Sequence, residues 1–432
     1  MNKKLWENLI SLYGLQVLNN LVPIVTLPFL ARTLGSAHWG ALAFAEAVAN
    51  YASLIVEYGF GLSATRELGR LRDDPTARAT QLASVLGAQL LLAGVALATG
   101  VSIVTQVRTL AQYRSLLPWA FLLAVTRSMV PIWYFQGLEQ VRVIAAITIS
   151  TNMVAALGIL FLVRSPDQSW LPLALRTAAS SASLVAGLML AYRVTPFLAP
   201  RLATSASALR QGFPLFIFRS ATSMYTTANV LLLGLMAPPS VVALFAGAEK
   251  ISRAAIAAVW PITQAFYPRI SYLLSNDPRN ASKTARLSVL LTLSAGAAAS
   301  IAIFLGAPLL VRLLLGHGFE GSTPILRLFA LLPVLMASSN VFGIQWMLPL
   351  RMDRTFNCIL VAAGVVNLGL ACILVPLAQQ TGMAVSVVTA EAVVTASIIV
   401  VLMRRKMAPW DELPMEGESI IRPTTPSLPM SV

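Results

Sequence analysis

Apolar runs of about twenty residues recur along the whole chain, separated by short polar gaps. They cover 9–33, 38–60, 81–104, 115–135, 143–163, 170–192, 213–236, 240–263, 286–310, 325–349, 357–377 and 382–403. A helix crossing a bilayer needs about 20 mostly apolar residues, so the pattern predicts an all-α integral membrane protein of about twelve spans. The first run is broken by Asn19, Asn20, Pro23, Thr26 and Pro28 and lacks a short apolar core with a small-residue cleavage site. It therefore reads as a retained span rather than a removed leader.

Composition agrees with the pattern. Of 432 residues, 57% are hydrophobic and 11% charged, against about 25% charged in soluble domains. That excludes an ordinary water-soluble enzyme. Basic residues outnumber acidic ones by 31 to 17, for a net charge of +14, but no basic stripe with interleaved aromatics signals nucleic acid. The alternate gaps instead hold Arg66, Arg70, Arg72, Arg78, Arg142, Arg193, Arg201, Arg210, Arg269, Arg279, Lys283, Arg286, Arg351 and Arg354, joined at the ends by Lys3, Lys4, Arg404, Arg405 and Lys406. The opposite gaps and their borders hold Arg32, Arg108, Arg114, Arg164, Arg312 and Arg327. A roughly threefold bias places both termini in the cytoplasm.

Displacing the sequence by 203 positions sets Glu46 on Glu249, Arg66 on Arg269 and Asp74-Pro75 on Asp277-Pro278. The matched spans are six spans apart, so the copies share one orientation. This predicts two parallel six-helix lobes, 1–205 and 206–403, around a central cavity. The Pro- and Ser-rich tail, 404–432, cannot bury a core and is expected to be disordered.

Chemical motifs are few. Gly316 to Gly321 spell G-x-G-x-x-G, but after an apolar span rather than a strand, and no phosphate loop occurs elsewhere. Asn280-Ala281-Ser282 fits a glycosylation sequon on the side read as cytoplasmic, and His38 and His317 lack ligand-spaced partners. Cys358 and Cys372 stand roughly 21 Å apart along one helix, too far to bridge. No metal site or cofactor is expected.

Charges inside the spans carry more information, because an ionisable group at bilayer depth costs roughly 2.5–3.5 kcal/mol on insertion scales. Glu46, Asn50, Ser53 and Glu57 share one helical face, as do Arg219, Thr222, Thr226 and Asn229. Glu249, Lys250, Arg253 and Gln264 follow in the next span, and Arg127 and Arg176 lie in the fourth and sixth. The expected result is a hydrated cavity biased positive by Arg127, Arg176, Arg219, Lys250 and Arg253, suited to an anionic substrate. Glu46, Glu57 and Glu249 are candidates for ion coupling or gating. Against this stands simple neutralisation of Glu249 by Arg253 at i, i+4. Prolines within spans, including Pro131, Pro214, Pro261 and Pro333, permit bends.

Several stretches resemble a known family. They are Leu27-Pro28-Phe29-Leu30-Ala31-Arg32-Thr33-Leu34-Gly35, Glu57-Tyr58-Gly59-Phe60-Gly61-Leu62-Ser63-Ala64-Thr65-Arg66-Glu67, Trp133-Tyr134-Phe135-Gln136-Gly137-Leu138-Glu139 and Gln264-Ala265-Phe266-Tyr267-Pro268-Arg269-Ile270-Ser271. The chain is similar over nearly all of 5–403 to the Wzx-type O-antigen flippases of the multidrug, oligosaccharidyl-lipid and polysaccharide (MOP) exporter superfamily. That resemblance implies two six-helix lobes and transfer of an undecaprenyl-diphosphate-linked oligosaccharide from the inner to the outer leaflet of a bacterial cytoplasmic membrane. It also implies work alongside a polysaccharide polymerase and other assembly proteins, in contact with membrane lipids. Glu57, Arg66, Glu67 and Arg269 match its recurring motifs. A multidrug or small-lipid exporter of the same superfamily, or a non-transporting scaffold for polymer assembly, are the competing readings.

Overall fold

Two Asp-Pro pairs begin two of the long helices. Asp74 accepts from the backbone N–H of Thr76 (2.9 Å) and Ala77 (3.0 Å), and Asp277 from that of Asn280 (3.1 Å). Each carboxylate caps free helical donors, and the following proline occupies the position where a missing N–H costs nothing. The computed structural model describes residues 3–106, 108–226 and 228–411; the side chains of 3–24, 103, 108–109, 218, 221–222 and 224–226 lie outside that description. So do the Lys3, Lys4, Arg108, Thr222 and Thr226 side chains named above.

The chain is helical nearly throughout. In order come α1 (Lys3–Glu57), α2 (Phe60–Arg70), α3 (Pro75–Gln106), α4 (Leu117–Met129), α5 (Ile132–Gly137), α6 (Val141–Leu162) and α7 (Leu171–Val194). The second half holds α8 (Leu202–Thr226), α9 (Ala228–Met236), α10 (Pro239–Asn276), α11 (Pro278–Leu314), α12 (Ser322–Phe329), α13 (Leu332–Ser339), a π-helical stretch Asn340–Met347 and α14 (Asp353–Arg404). No strand occurs among the described residues.

Each apolar run falls on helix, but boundaries differ from expectation. The run 115–135 is two helices, because Pro131 lacks the N–H that would continue α4. The run 325–349 is three pieces. Conversely, α1 joins two runs across Gly35, whose φ of 70° and ψ of 171° suit glycine. α14 joins two more across Gln379, at φ 45° and ψ −122°. There the chain folds back: a Cβ on Gly382 would lie 2.1 Å from the Leu374 carbonyl oxygen, whereas residues eight apart in a straight helix are about 12 Å apart. Seven described stretches are long and apolar enough by themselves to cross a membrane. α10 is not one of them, since Glu249, Lys250 and Arg253 interrupt its apolar surface.

The largest buried core lies where the two halves meet. It holds Leu34, Trp39 and Phe44 of α1, Phe245 of α10, and Phe319 and Phe329 around α12. Phe44 stacks on Tyr113 at 4.2 Å and fills the space over Gly234, where a Cβ would lie 2.1 Å from its ring. A second core, around Phe60, Leu68, Trp133 and Tyr134, belongs to the first half, and a third, around Phe342, Trp346 and Met347, to the second. Large apolar side chains also cover the outside: Leu305 is 73% and Leu377 78% exposed. Such a surface belongs in lipid, not water.

The tail, expected to be disordered from 404, instead packs as far as Asp411. Trp346 donates its indole N–H to Met407 O at 2.7 Å, and Arg286 donates to the Pro409 and Trp410 carbonyls at 3.1 and 3.2 Å. These bonds satisfy groups at the end of the third core, and Ala408 is fully buried. Residues 412–432, with Glu412, Glu416 and Glu418, lie outside the described residues.

Candidate functional site

The second part of α1 presents three of its four predicted polar residues to one cavity. Glu46, Asn50 and Glu57 line a space of about 470 Å³, with Arg127 of α4, Arg176 of α7, and Thr148, Asn152, Ser180 and Ser183 of α6 and α7. The fourth, Ser53, turns instead into packing, with its hydroxyl 3.5 Å from Ala124 O. Helical spacing of four and seven residues aligns Glu46, Asn50 and Glu57; the tight α1–α4 contact claims Ser53.

Glu46 is the hub. Arg176 Nη1 lies 2.5 Å from one carboxylate oxygen and Lys250 Nζ 2.9 Å from the other. Lys250 comes from α10, so this acid of the first half binds a cation of the second, and Trp39 flanks the ammonium with its ring centroid at 5.1 Å. The charge is compensated at a depth where an isolated carboxylate is costly. One helical stretch further, Arg219 of α8 reaches Glu57 at 3.0 Å, and the Tyr51 hydroxyl donates to Ser223 O at 3.2 Å. Tyr58 stacks on Phe216 at 4.5 Å beside this pair. Both ends of this stretch of α1 therefore touch the second half of the chain.

Arg127 differs. Its Nη1 donates to the neutral Asn50 Oδ1 at 3.2 Å, and it meets no carboxylate among the described residues. Arg253 is paired with Glu249 of its own helix at 2.8 Å and does not line the cavity; the expected cluster therefore divides. The cavity wall itself holds two cations, Arg127 and Arg176, and two carboxylates, Glu46 and Glu57; Lys250 and Arg219 reach those carboxylates from outside the lining. Arg66 and Glu67 lie on α2, where Glu67 approaches Arg70 at 3.6 Å, and Arg269 is exposed on α10. None of these three adjoins the cavity. Their neighbourhood packs: a Cβ on Gly137 would meet Leu68 at 2.9 Å, and the Thr65 hydroxyl donates to Trp133 O at 3.2 Å. Two of the quoted motifs are thus one helix–helix contact.

The second half also holds buried polar groups that, apart from Asn229, sequence reading passed over; Asn229 turns to Asn367 and does not line the cavity. Glu391 of α14 accepts from Ser339 Oγ at 2.8 Å, Gln345 Nε2 donates to Thr263 Oγ1 at 3.1 Å, and Asn367 Nδ2 to Asn229 Oδ1 at 2.8 Å. A lone acid in the run 382–403 was the available signal for Glu391.

Comparison with known proteins fixes the family. The profile of the family described as polysaccharide biosynthesis protein matches residues 5–274. The chain belongs to that family. A curated relative from Escherichia coli (strain K12), named "Putative O-antigen transporter", is 31% identical over 408 residues, covering 93% of this chain and 97% of the relative. One of the same name from Shigella dysenteriae is 28% identical, covering 90% and 97%. Among solved structures, the inward closed lipid II flippase MurJ aligns with a TM-score of 0.67 at 12% identity, covering 92% of this chain and 87% of that one. An inward-facing MATE family transporter of the MOP superfamily aligns at 0.62 and 14% identity, covering 89% and 98%. This polysaccharide biosynthesis protein is accordingly a multi-pass membrane transporter with the MOP fold, not an enzyme.

Proposed function

We propose that this family member is an O-antigen-type flippase, moving an undecaprenyl-diphosphate-linked oligosaccharide from the inner to the outer leaflet of a bacterial cytoplasmic membrane. The names of its relatives support the substrate class, and one observation carries the mechanism: both acids of the cavity are held by cations of the second half of the chain, while Arg127 of its wall meets no carboxylate among the described residues. Arg127, held by an amide, offers its guanidinium to a phosphate as paired donors. A diphosphate entering beside it competes with Glu46 for Arg176 and Lys250. Ligand binding then weakens the contact between lobes 1–205 and 206–403. A ligand shifts a conformational equilibrium only by such differential contacts. The lipid tail stays in the bilayer while the sugars occupy the hydrated cavity.

The positive-inside bias supports a cytoplasmic side for both termini. Outward passage of about two negative charges down a potential of about 100 mV, inside negative, yields on the order of 4–5 kcal/mol without ATP. Glu46 and Glu57 exchange partners during the cycle, the gating role expected of them, and the product passes to a polysaccharide polymerase outside. Leaflet-resolved transport of a lipid-linked oligosaccharide in proteoliposomes tests the reading. The combined Arg127→Ala and Arg176→Ala variant should lose most export at matched protein levels; undiminished export overturns it.

A further inference from the structure

One cation at the border of a span has neither a carboxylate partner among the described residues nor a place in the cavity. Arg327 of α12 holds its guanidinium 5.9 Å from the ring centroid of Phe304 on α11, and it makes no ion pair among the described residues. Phe304 lies ten residues before the end of α11 at Leu314, about 15 Å along the axis. α11 is among the stretches long and apolar enough to cross a membrane, so Arg327 lies alongside lipid-facing surface, one turn and more short of the helix end. An exposed arginine at the border of a span is placed to meet an opposite charge at the headgroup level.

The structure also provides the space for such a partner. Where α12 gives way to α13, a groove of about 820 Å³ opens on the outer face, lined by Ile301, Phe304, Leu305, Leu328 and Leu331, with Arg327 on its wall. Ile301 is 60% and Leu305 73% exposed, so the groove faces the lipid and not the cavity. Its inner end is a made joint, with the Val334 N–H satisfied by Ser300 Oγ at 3.2 Å across the helices. Arg312, about 12 Å further along α11 from Phe304, adds positive charge toward the membrane surface.

We propose that Arg327 and this groove bind an anionic glycerophospholipid of the surrounding bilayer, its acyl chain along Phe304 and Leu305 and its phosphate on the guanidinium. A guanidinium near an aromatic face spends no N–H group on it, so its N–H edge is free for two phosphate oxygens. Net negative charge decides the class, because the ammonium of a zwitterionic headgroup would stand beside a cation that no acid offsets.

Native mass spectrometry of the full-length protein, equilibrated with equal fractions of phosphatidylglycerol and phosphatidylcholine, tests this. The unaltered protein should retain phosphatidylglycerol about tenfold over phosphatidylcholine, and Arg327→Ala should bring the ratio near one. Leu305→Trp fills the groove from an exposed position, so folding is not at stake, and should reduce retained lipid of both kinds. Inorganic phosphate should leave the bound lipid in place. Equal retention of the two lipids by the unaltered protein, or a preference that survives both substitutions, overturns the site. Undecaprenyl phosphate displacing phosphatidylglycerol at equal fraction would also overturn it, making the groove a berth for the transported lipid's tail; export by Arg327→Ala would not settle that point, so binding is the readout.

Discussion

Lys250 Nζ lies 2.9 Å from Glu46 Oε2, an ion pair between residues 204 positions apart that ties α10 to α1. Arg176 holds the other oxygen, so the single carboxylate pairs with two cations at once. Removing it leaves both uncompensated. Glu46→Gln should cost about 1–3 kcal/mol, a range that allows for the third of Lys250 still exposed. The double variant Glu46→Gln with Lys250→Met should recover part of this, because the second change removes one stranded charge. Thermal unfolding of matched detergent preparations measures both; a double variant no better than the single one refutes the shared-hub account.

Arg219 and Glu57 should tolerate exchange better than loss. Glu57→Arg alone sets like charges 3.0 Å apart and should lower export several-fold, whereas Glu57→Arg with Arg219→Glu restores an opposite pair in the same space. Transport rates of the single and swapped variants decide it.

Gly40 and Gly94 make a matched pair. A Cβ on Gly40 would lie 1.8 Å from the Pro239 carbonyl oxygen, where α1 meets the start of α10, while one on Gly94 meets nothing within 4 Å. Gly40→Ala should destabilise by about 1–3 kcal/mol because backbone must move. Gly94→Ala should be neutral or stabilising by about 0.5–1 kcal/mol, through the helical preference of alanine. Melting temperatures in one detergent compare them directly.

Trp346→Phe keeps an aromatic ring but deletes the indole donor to Met407 O and shrinks a buried side chain of the third core. The segment 405–411 should then be cut faster by a protease, with a loss of about 1–3 kcal/mol in global stability from the smaller core side chain, while Arg286 still holds Pro409 and Trp410. Unchanged cleavage kinetics would show that the arginine alone fastens the tail.

The Asp277 carboxyl is held below its ordinary range, first by the Asn280 backbone N–H and then by the Asn280 side-chain amide. A lowered folded-state value means that the cap contributes fully above the ordinary carboxylate pKa and loses that contribution as pH falls through the lowered one. The melting difference between the unaltered protein and Asp277→Ala should therefore shrink between about pH 5 and pH 3, while Asp277→Asn should show no such trend.

Membrane class, helical content and the alignment of Glu46, Asn50 and Glu57 were legible in the amino-acid sequence, because hydropathy and the 3.6-residue period are local properties. The Asp-Pro pairs stood out only as matches of the 203-residue displacement, and the structure shows that both are helix starts. Which cation meets which acid was not legible. Pairing Arg176 and Lys250 with Glu46, sending Arg219 to Glu57, leaving Arg253 on its own helix and turning Ser53 into packing all depend on how α1 lies against α4, α7, α8 and α10. Span 4 broke at a proline whose effect was visible, yet the docking of 405–411 needed Trp346 and Arg286 at one helix end. Charge in a low-dielectric interior is compensated by whichever partner the packing delivers within about 4 Å, and that distance is a property of the tertiary structure alone.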